Sequence, residues 1–318
     1  MMKRLVDGLL EGSVVGSFSR LGYAVRSRSA NWTEVDSFDL RGRTVAITGP
    51  TSGLGQATTI HLRRLGANVV LMARDATKTS ALVDELRSLD APGDVHSIIA
   101  DMGDLDAVRR AASELRALGS IDVLIHNAGA LLKERAVSPQ GLEATIASHV
   151  LGPFLMTSLV HDLVTSRVIT VSSGGMYAAT LPDFAAGQTL EMPTGSYDGT
   201  RQYAIAKRAQ VTLNEMWAQR MTSPQFFAMH PGWADTPGVQ ESLPLFRQLT
   251  KPLLRTVDEG ADSILWLAAD PDVALPSGSF IGDRQRRPLH RLPKTRRSDT
   301  AANRAALWSW CVEKTGIN

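Results

Sequence analysis

The stretch from Arg43 to Leu65 limits the possible folds more than any other. Arg43-Thr44-Val45-Ala46-Ile47-Thr48 reads as a short buried strand. Gly49-Pro50-Thr51-Ser52-Gly53-Leu54-Gly55 follows, and Gln56 to Leu65 is helix-like. Strand, glycine-rich turn and helix in this order make a phosphate cradle. Glycine lets backbone amides approach a pyrophosphate, and the helix N-terminus offers unpaired N–H groups and the positive end of a dipole. Gly49, Thr51, Ser52, Gly53, Leu54 and Gly55 are therefore expected to hold a dinucleotide.

Strands and helices then alternate. Strands are expected at 69–73, 95–100, 123–125, 167–171, 226–229 and 278–281, with helices at 104–118 and 259–269. This alternation predicts an α/β fold, a doubly wound parallel sheet of the Rossmann type in three layers with right-handed crossovers. Ligands of such sheets bind beyond the carboxyl ends of the strands, where these motifs fall. The 318 residues, 43% of them hydrophobic, suit one large domain with extensions. The expected division is an N-terminal extension (1–40), a catalytic domain (41–283), and a basic tail with a terminal helix (284–318).

Tyr203 and Lys207 are four residues apart and share one face of a helix. A cation beside a phenol favours the phenolate, drawing its pKa from about 10 towards the range of a general acid/base. With Ser173 at a strand end, the Asn127-Ala128-Gly129 turn, and Pro231-Gly232-x-x-x-Thr236, the chain resembles the short-chain dehydrogenase/reductase family. The Gly-x-x-x-Gly-x-Gly spacing after Thr48 matches its non-extended branch.

The resemblance implies an oxidoreductase acting on CH–OH groups by hydride transfer. Ser173 would bind the substrate oxygen, Tyr203 would pass it a proton, and Lys207 would grip the nicotinamide ribose. Asp101 and Met102 would lie beside the adenine. Asn127, Ala128 and Gly129 would pass close to the cofactor, and Pro231, Gly232, Trp233 and Thr236 would orient the carboxamide. His149 stands where many members have Asn; it would hold water or shuttle a proton, or else pack as a core histidine. The family also implies a homo-oligomer. A catalytically weak scaffold on the same fold is the alternative.

The second strand ends in neutral Ala73, followed by Arg74. An Arg there pairs with a 2′-phosphate and favours NADP(H) over NAD(H). Asp75, about 20 residues past Gly55, is the competing ribose ligand.

Other segments carry weaker expectations. In 174–202, Phe184, Leu190, Met192 and Tyr197 offer an apolar substrate either contact surface or simple loop packing. Prolines 237, 244 and 252 break 237–256 into a lid. Lys3 and Arg4 precede Leu5 as in a targeting segment, but Asp7 and Glu11 interrupt its apolar run. Phe18, Leu21, Tyr23 and Trp32 would pack on the domain or rest on a membrane surface. The basic run 284–297 reads as a solvated tail, or as a contact for anionic lipid. Leu307, Trp308 and Val312 would dock a terminal helix.

Lys+Arg 34 against Asp+Glu 32 gives no argument for nucleic acid. No apolar run reaches about 18 residues, so no spanning helix is expected. One cysteine, Cys311, excludes an internal disulfide and fits a reducing, cytoplasmic setting. No metal site is expected.

Overall fold

A computed structural model describes residues 2–317, and their side chains from residue 6 on; the side chains of Lys3, Arg4 and Leu5 lie outside the described residues. Three helices lead in: α1 (Met2–Glu11), α2 (Val14–Phe18) and α3 (Arg20–Ala30). The first half of the sheet is β1 (Thr44–Thr48), β2 (Asn68–Ala73) and β3 (Val95–Ile99), joined by α4 (Gly53–Arg64) and α5 (Ala76–Ser88). Helix α6 (Leu105–Ala117) leads to β4 (Ile121–His126). Next come α7 (Ala144–Ile146), a π-helical turn (Ala147–Leu151) and α8 (Gly152–Val160), then β5 (Val164–Val171). Helix α9 (Gly199–Arg220) precedes β6 (Gln225–Met229). Two short helices, α10 (Pro237–Ser242) and α11 (Pro244–Thr250), each open on a proline, whose fixed φ suits a first turn. The chain finishes with α12 (Val257–Ala269), β7 (Phe280–Gly282), β8 (Gln285–Arg286), α13 (Pro293–Ser298) and α14 (Ala301–Thr315).

The sheet order is β3-β2-β1-β4-β5-β6-β7-β8, parallel except for antiparallel β8. The order reverses between β1 and β4, and a crevice opens there beyond the strand ends. Both faces of the sheet are covered, so β1 and β2 are apolar without alternation: Val45, Ala46, Ile47, Val69, Val70 and Leu71 are all fully buried. One core layer packs α4, α5 and α12 against the sheet; the other packs α6, α8, α9 and α14. Leu307 and Cys311 are fully buried in the second layer, and Trp308 stands edge-on to Phe154 and Trp217. Among the described residues no helix is long and apolar enough to cross a membrane.

The expectation of a solvated basic run at 284–297 is overturned for half of its arginines. Arg284 pairs with Asp262, Arg287 with Asp7 and Glu11, and Arg291 with Glu11. The reason is that α1 supplies Asp7 and Glu11, and α12 supplies Asp262. Phe18 likewise turns inward and is buried, whereas Leu21 stays exposed.

Candidate active site

Gly49 and Gly53 adopt φ +65° and +52°, a region that glycine enters without strain. A Cβ on Gly55 would lie 2.1 Å from the Gly49 carbonyl oxygen and 2.5 Å from Asn127 Nδ2, so the turn closes only with glycine there. Helix α4 begins at Gly53, earlier than the sequence suggests. Its N-cap, Ser52, makes no side-chain cap bond, leaving the first-turn amides for an anion. Asn127 Nδ2 donates to the carbonyls of Thr48 (3.1 Å) and Gly49 (2.9 Å). Thr48 Oγ1 in turn accepts the N–H groups of Asn127 and Ala128, both at 3.0 Å. The Asn-Ala-Gly turn is thus pinned to the cradle. Thr236 closes it from the other side, 3.4 Å from where a Cβ of Gly53 would stand. These residues fit a dinucleotide pyrophosphate.

At the end of β2, Arg74 is exposed and has no partner among the described residues. Asp75 is committed elsewhere: its carboxylate caps α5 by accepting the Lys78 N–H at 3.0 Å. At the end of β3, Asp101 is exposed and accepts the Gly103 N–H, whereas the Met102 side chain is buried in the core.

Asp198 caps α9 through the N–H groups of Thr200 and Arg201 and so sets where its first turn begins. Tyr203 and Lys207 lie on its inner face. The Tyr203 hydroxyl is hydrogen-bonded to Ser173, whose Oγ also accepts the Gly175 N–H at 3.1 Å. The Lys207 ammonium is buried; it donates to the Val171 carbonyl at 2.8 Å and stands 5.3 Å from the Tyr203 ring centroid. Burial brings its pKa down to about 7. The expected fall in the Tyr203 pKa does not occur in this geometry. Burial raises it, and only the Ser173 hydrogen bond opposes that rise. The ammonium points at a backbone carbonyl rather than at the phenol oxygen.

His149 sits in the π-helical turn, with its ring edge-on to Tyr203 at 5.4 Å. Its Nε2 lies 3.0 Å from both the N–H and the carbonyl of Ala130. Gly129 leaves room for the ring, since a Cβ would come within 2.3 Å of His149 Cε1. Burial, then Lys207, holds His149 well below the usual imidazole range, so the ring is neutral near pH 7. Its carbonyl accepts from Gln210 Nε2 at 2.7 Å. Behind it, His126, His149, Gln210 and Asn214 line one internal cavity with Thr157 and Trp217. His126 Nδ1, His149 Nδ1, Gln210 Oε1 and Asn214 Nδ2 have no hydrogen-bond partner among the described residues. Gln210 and Asn214 escape a motif reading. Their signal is the helical stripe 203, 207, 210, 214 on α9.

The 174–202 segment packs rather than opening to the cleft. Leu190 is buried in the core and Phe184 packs against it, Met192 is buried, and the Tyr197 hydroxyl donates to Glu143 at 3.1 Å. Apolar surface on the loop after β6 comes instead from Trp233, edge-on to Phe246 of α11 at 5.4 Å. Ser242 of α10 donates to the Leu131 carbonyl at 2.9 Å and ties α10 to the segment after Gly129.

A glycine-rich cradle at the switch point, with Ser173, Tyr203 and Lys207 beyond the neighbouring strand end, fits the class of dinucleotide-dependent oxidoreductases. The short-chain dehydrogenase family model matches residues 43–184, and the chain belongs to the short-chain dehydrogenase/reductase family. It is similar to the bovine (Bos taurus) dehydrogenase/reductase SDR family member 12, 36% identical over 271 residues and covering 84% of each chain. Mouse (Mus musculus) retinol dehydrogenase 14 is 30% identical over 87% of each chain. A crystal structure of an uncharacterized protein from Mycobacterium paratuberculosis aligns with a TM-score of 0.70 at 29% identity, covering 90% of this chain and 97% of that one.

Proposed function

We propose that the protein is an NADP(H)-dependent oxidoreductase that interconverts a carbonyl and an alcohol on a small apolar molecule. The observation that carries this reading is the convergence of Ser173, Tyr203 and Lys207 beside the glycine cradle. A bound nicotinamide cofactor would supply or accept the hydride at the substrate carbon. Ser173 donates a hydrogen bond to the substrate oxygen and fixes its position. Tyr203, kept protonated by burial, gives its phenolic proton to that oxygen in reduction and becomes a phenolate; in oxidation that phenolate takes the proton back from the alcohol. The Ser173 hydrogen bond favours the resulting phenolate, and Lys207 holds the ribose hydroxyls. Gly49, Ser52, Gly53, Leu54 and Gly55 hold the pyrophosphate.

The choice of NADP(H) is supported by the free guanidinium of Arg74 and the commitment of Asp75 to capping. The apolar substrate class is supported by Trp233 and Phe246, and by the name of the retinol dehydrogenase relative.

The test is a fluorescence titration with NADPH and NADH, followed by a carbonyl panel. NADPH should bind at least about tenfold tighter than NADH, and Arg74→Ala should erase the difference. Turnover should disappear in Tyr203→Phe. Absence of binding by either cofactor at millimolar concentration would overturn the proposal.

A further inference from the structure

The N-terminal helices touch the two loops that flank the reacting atoms. Phe18, Ser17 and Ser19 are all buried. The Phe18 carbonyl accepts the Trp233 N–H at 2.8 Å, and its ring stacks on the Trp233 indole at 6.0 Å and 20°. On its other side the ring lies against Gly174, the residue after Ser173. A Cβ on Gly174 would come within 2.3 Å of Phe18 Cε1. One phenyl group therefore braces both the serine loop and the nicotinamide-side loop.

Its own position is fixed by buried charge. Arg255 donates to the carbonyls of Ser19 (3.3 Å), Ser17 (3.4 Å) and Pro231 (3.2 Å), joining the N-terminal segment to the loop that carries Trp233. Asp283 accepts from Arg255 at 2.6 Å and from Arg26 at 2.7 Å, and Arg26 donates onward to the Gly16 carbonyl at 2.8 Å. Both arginines and the aspartate are almost completely buried, and an ion cluster of this kind holds one geometry because any looser one strands a charge. Gly232 completes the joint: a Cβ there would lie 2.4 Å from Arg255 and 2.7 Å from the Phe18 carbonyl oxygen.

From these contacts we infer that residues 13–19 are part of the active site, with Phe18 a positioning residue for Ser173 and Trp233. The inference rests on the proposed reaction for its kinetic readout but not for its structural one. An appendage that merely covered the domain would have no reason to require glycine beside the catalytic serine. Phe18 touches neither Tyr203 nor the glycine cradle in the described contacts, so its removal should spare cofactor affinity and proton transfer as such. The loss should fall on how the substrate oxygen is held.

The experiment compares the full chain with Phe18→Ala, Phe18→Leu, Gly174→Ala and the Phe18→Ala/Gly174→Ala double variant. Phe18→Ala should lower kcat by about tenfold or more through misplacement of Ser173, with NADPH affinity within about twofold of wild type. Phe18→Leu should recover most of that loss. Gly174→Ala should be impaired alone and regain activity when Phe18→Ala makes room, because the two changes exchange volume across one contact. Amide exchange by mass spectrometry should rise in segments 172–177 and 231–236 of Phe18→Ala. Wild-type kcat in folded Phe18→Ala, or multiplicative losses in the double variant, would overturn the inference. If wild type binds cofactor but reduces nothing, the reaction reading fails, and amide exchange still decides: unchanged exchange in both segments overturns the positioning role, and raised exchange supports it.

Discussion

Lys207→Met should make the protein more stable and inactive at once. An ordinary lysine titrates at 10.5, and Lys207 is brought down to about 7 by burial. At about 1.4 kcal/mol for each pH unit, that gap makes the buried ammonium cost about 5 kcal/mol at pH 6. Methionine has a similar length and no charge to desolvate. It also leaves the Val171 carbonyl without the donor it has at 2.8 Å, a loss of about 1–3 kcal/mol. The net gain is about 2–4 kcal/mol, or about 4–8 °C in Tm for a chain of this size. The pH dependence follows from proton counting. The unfolded chain keeps its lysine proton up to about 10.5 while the folded one releases it near 7, so in that window wild-type stability rises with pH. The advantage of the variant is complete below pH 7 and shrinks steadily towards pH 10. Thermal denaturation of both proteins at pH 6, 7.5 and 9 reads this directly. A methionine variant that melts below wild type at pH 6, or a difference that stays flat from pH 6 to 9, would refute the account of Lys207 as a desolvated cation.

Two further outcomes are expected. Asp283→Asn leaves Arg255 buried without its carboxylate, while Arg26 keeps Asp7 and Glu11, so stability should drop by about 3–5 kcal/mol and Tm by about 6–10 °C, measured by calorimetry; a change under 1 °C would show that the cluster is not needed. The cavity behind His149 should contain ordered water in a high-resolution crystal structure, since four polar atoms left dry would cost about 1–3 kcal/mol each. Density for at least one water within hydrogen-bond distance of His149 Nδ1 or Asn214 Nδ2 is the expected result, and a dry cavity contradicts it.

The sheet and the cradle were legible because they are written locally. The β1–α4 unit needs only an apolar run, three glycines and a helix, and these lie within about twenty residues of each other. Tyr203 and Lys207 share a helix face by spacing alone. The electrostatic state of that pair was not legible. Whether the ammonium meets the phenol oxygen or the Val171 carbonyl depends on β5 passing beneath α9. Leu190 and Met192 could be read as substrate contacts or as core, and burial decides for the core. Arg287 and Arg291 looked solvated because the sequence places Asp7 and Glu11 280 positions away. Phe18 was visible as an apolar residue able to pack, but its neighbour Gly174 belongs to a loop 156 residues later.

The separation between Asp7 and Arg287 also bears on how the molecule is made. At about 5–20 residues per second, a ribosome adds Arg287 on the order of tens of seconds after Asp7. Through that interval the N-terminal helices have neither Asp283 nor Arg287 to dock against, while the cradle and the strands behind it are already available to pair. The N-terminal helices, made before the residues they dock against, therefore settle only after those residues have emerged. Ser173 and Trp233 acquire their brace only once Asp283 and Arg287 have emerged, so a nascent chain whose cradle has already formed would still lack a finished substrate side.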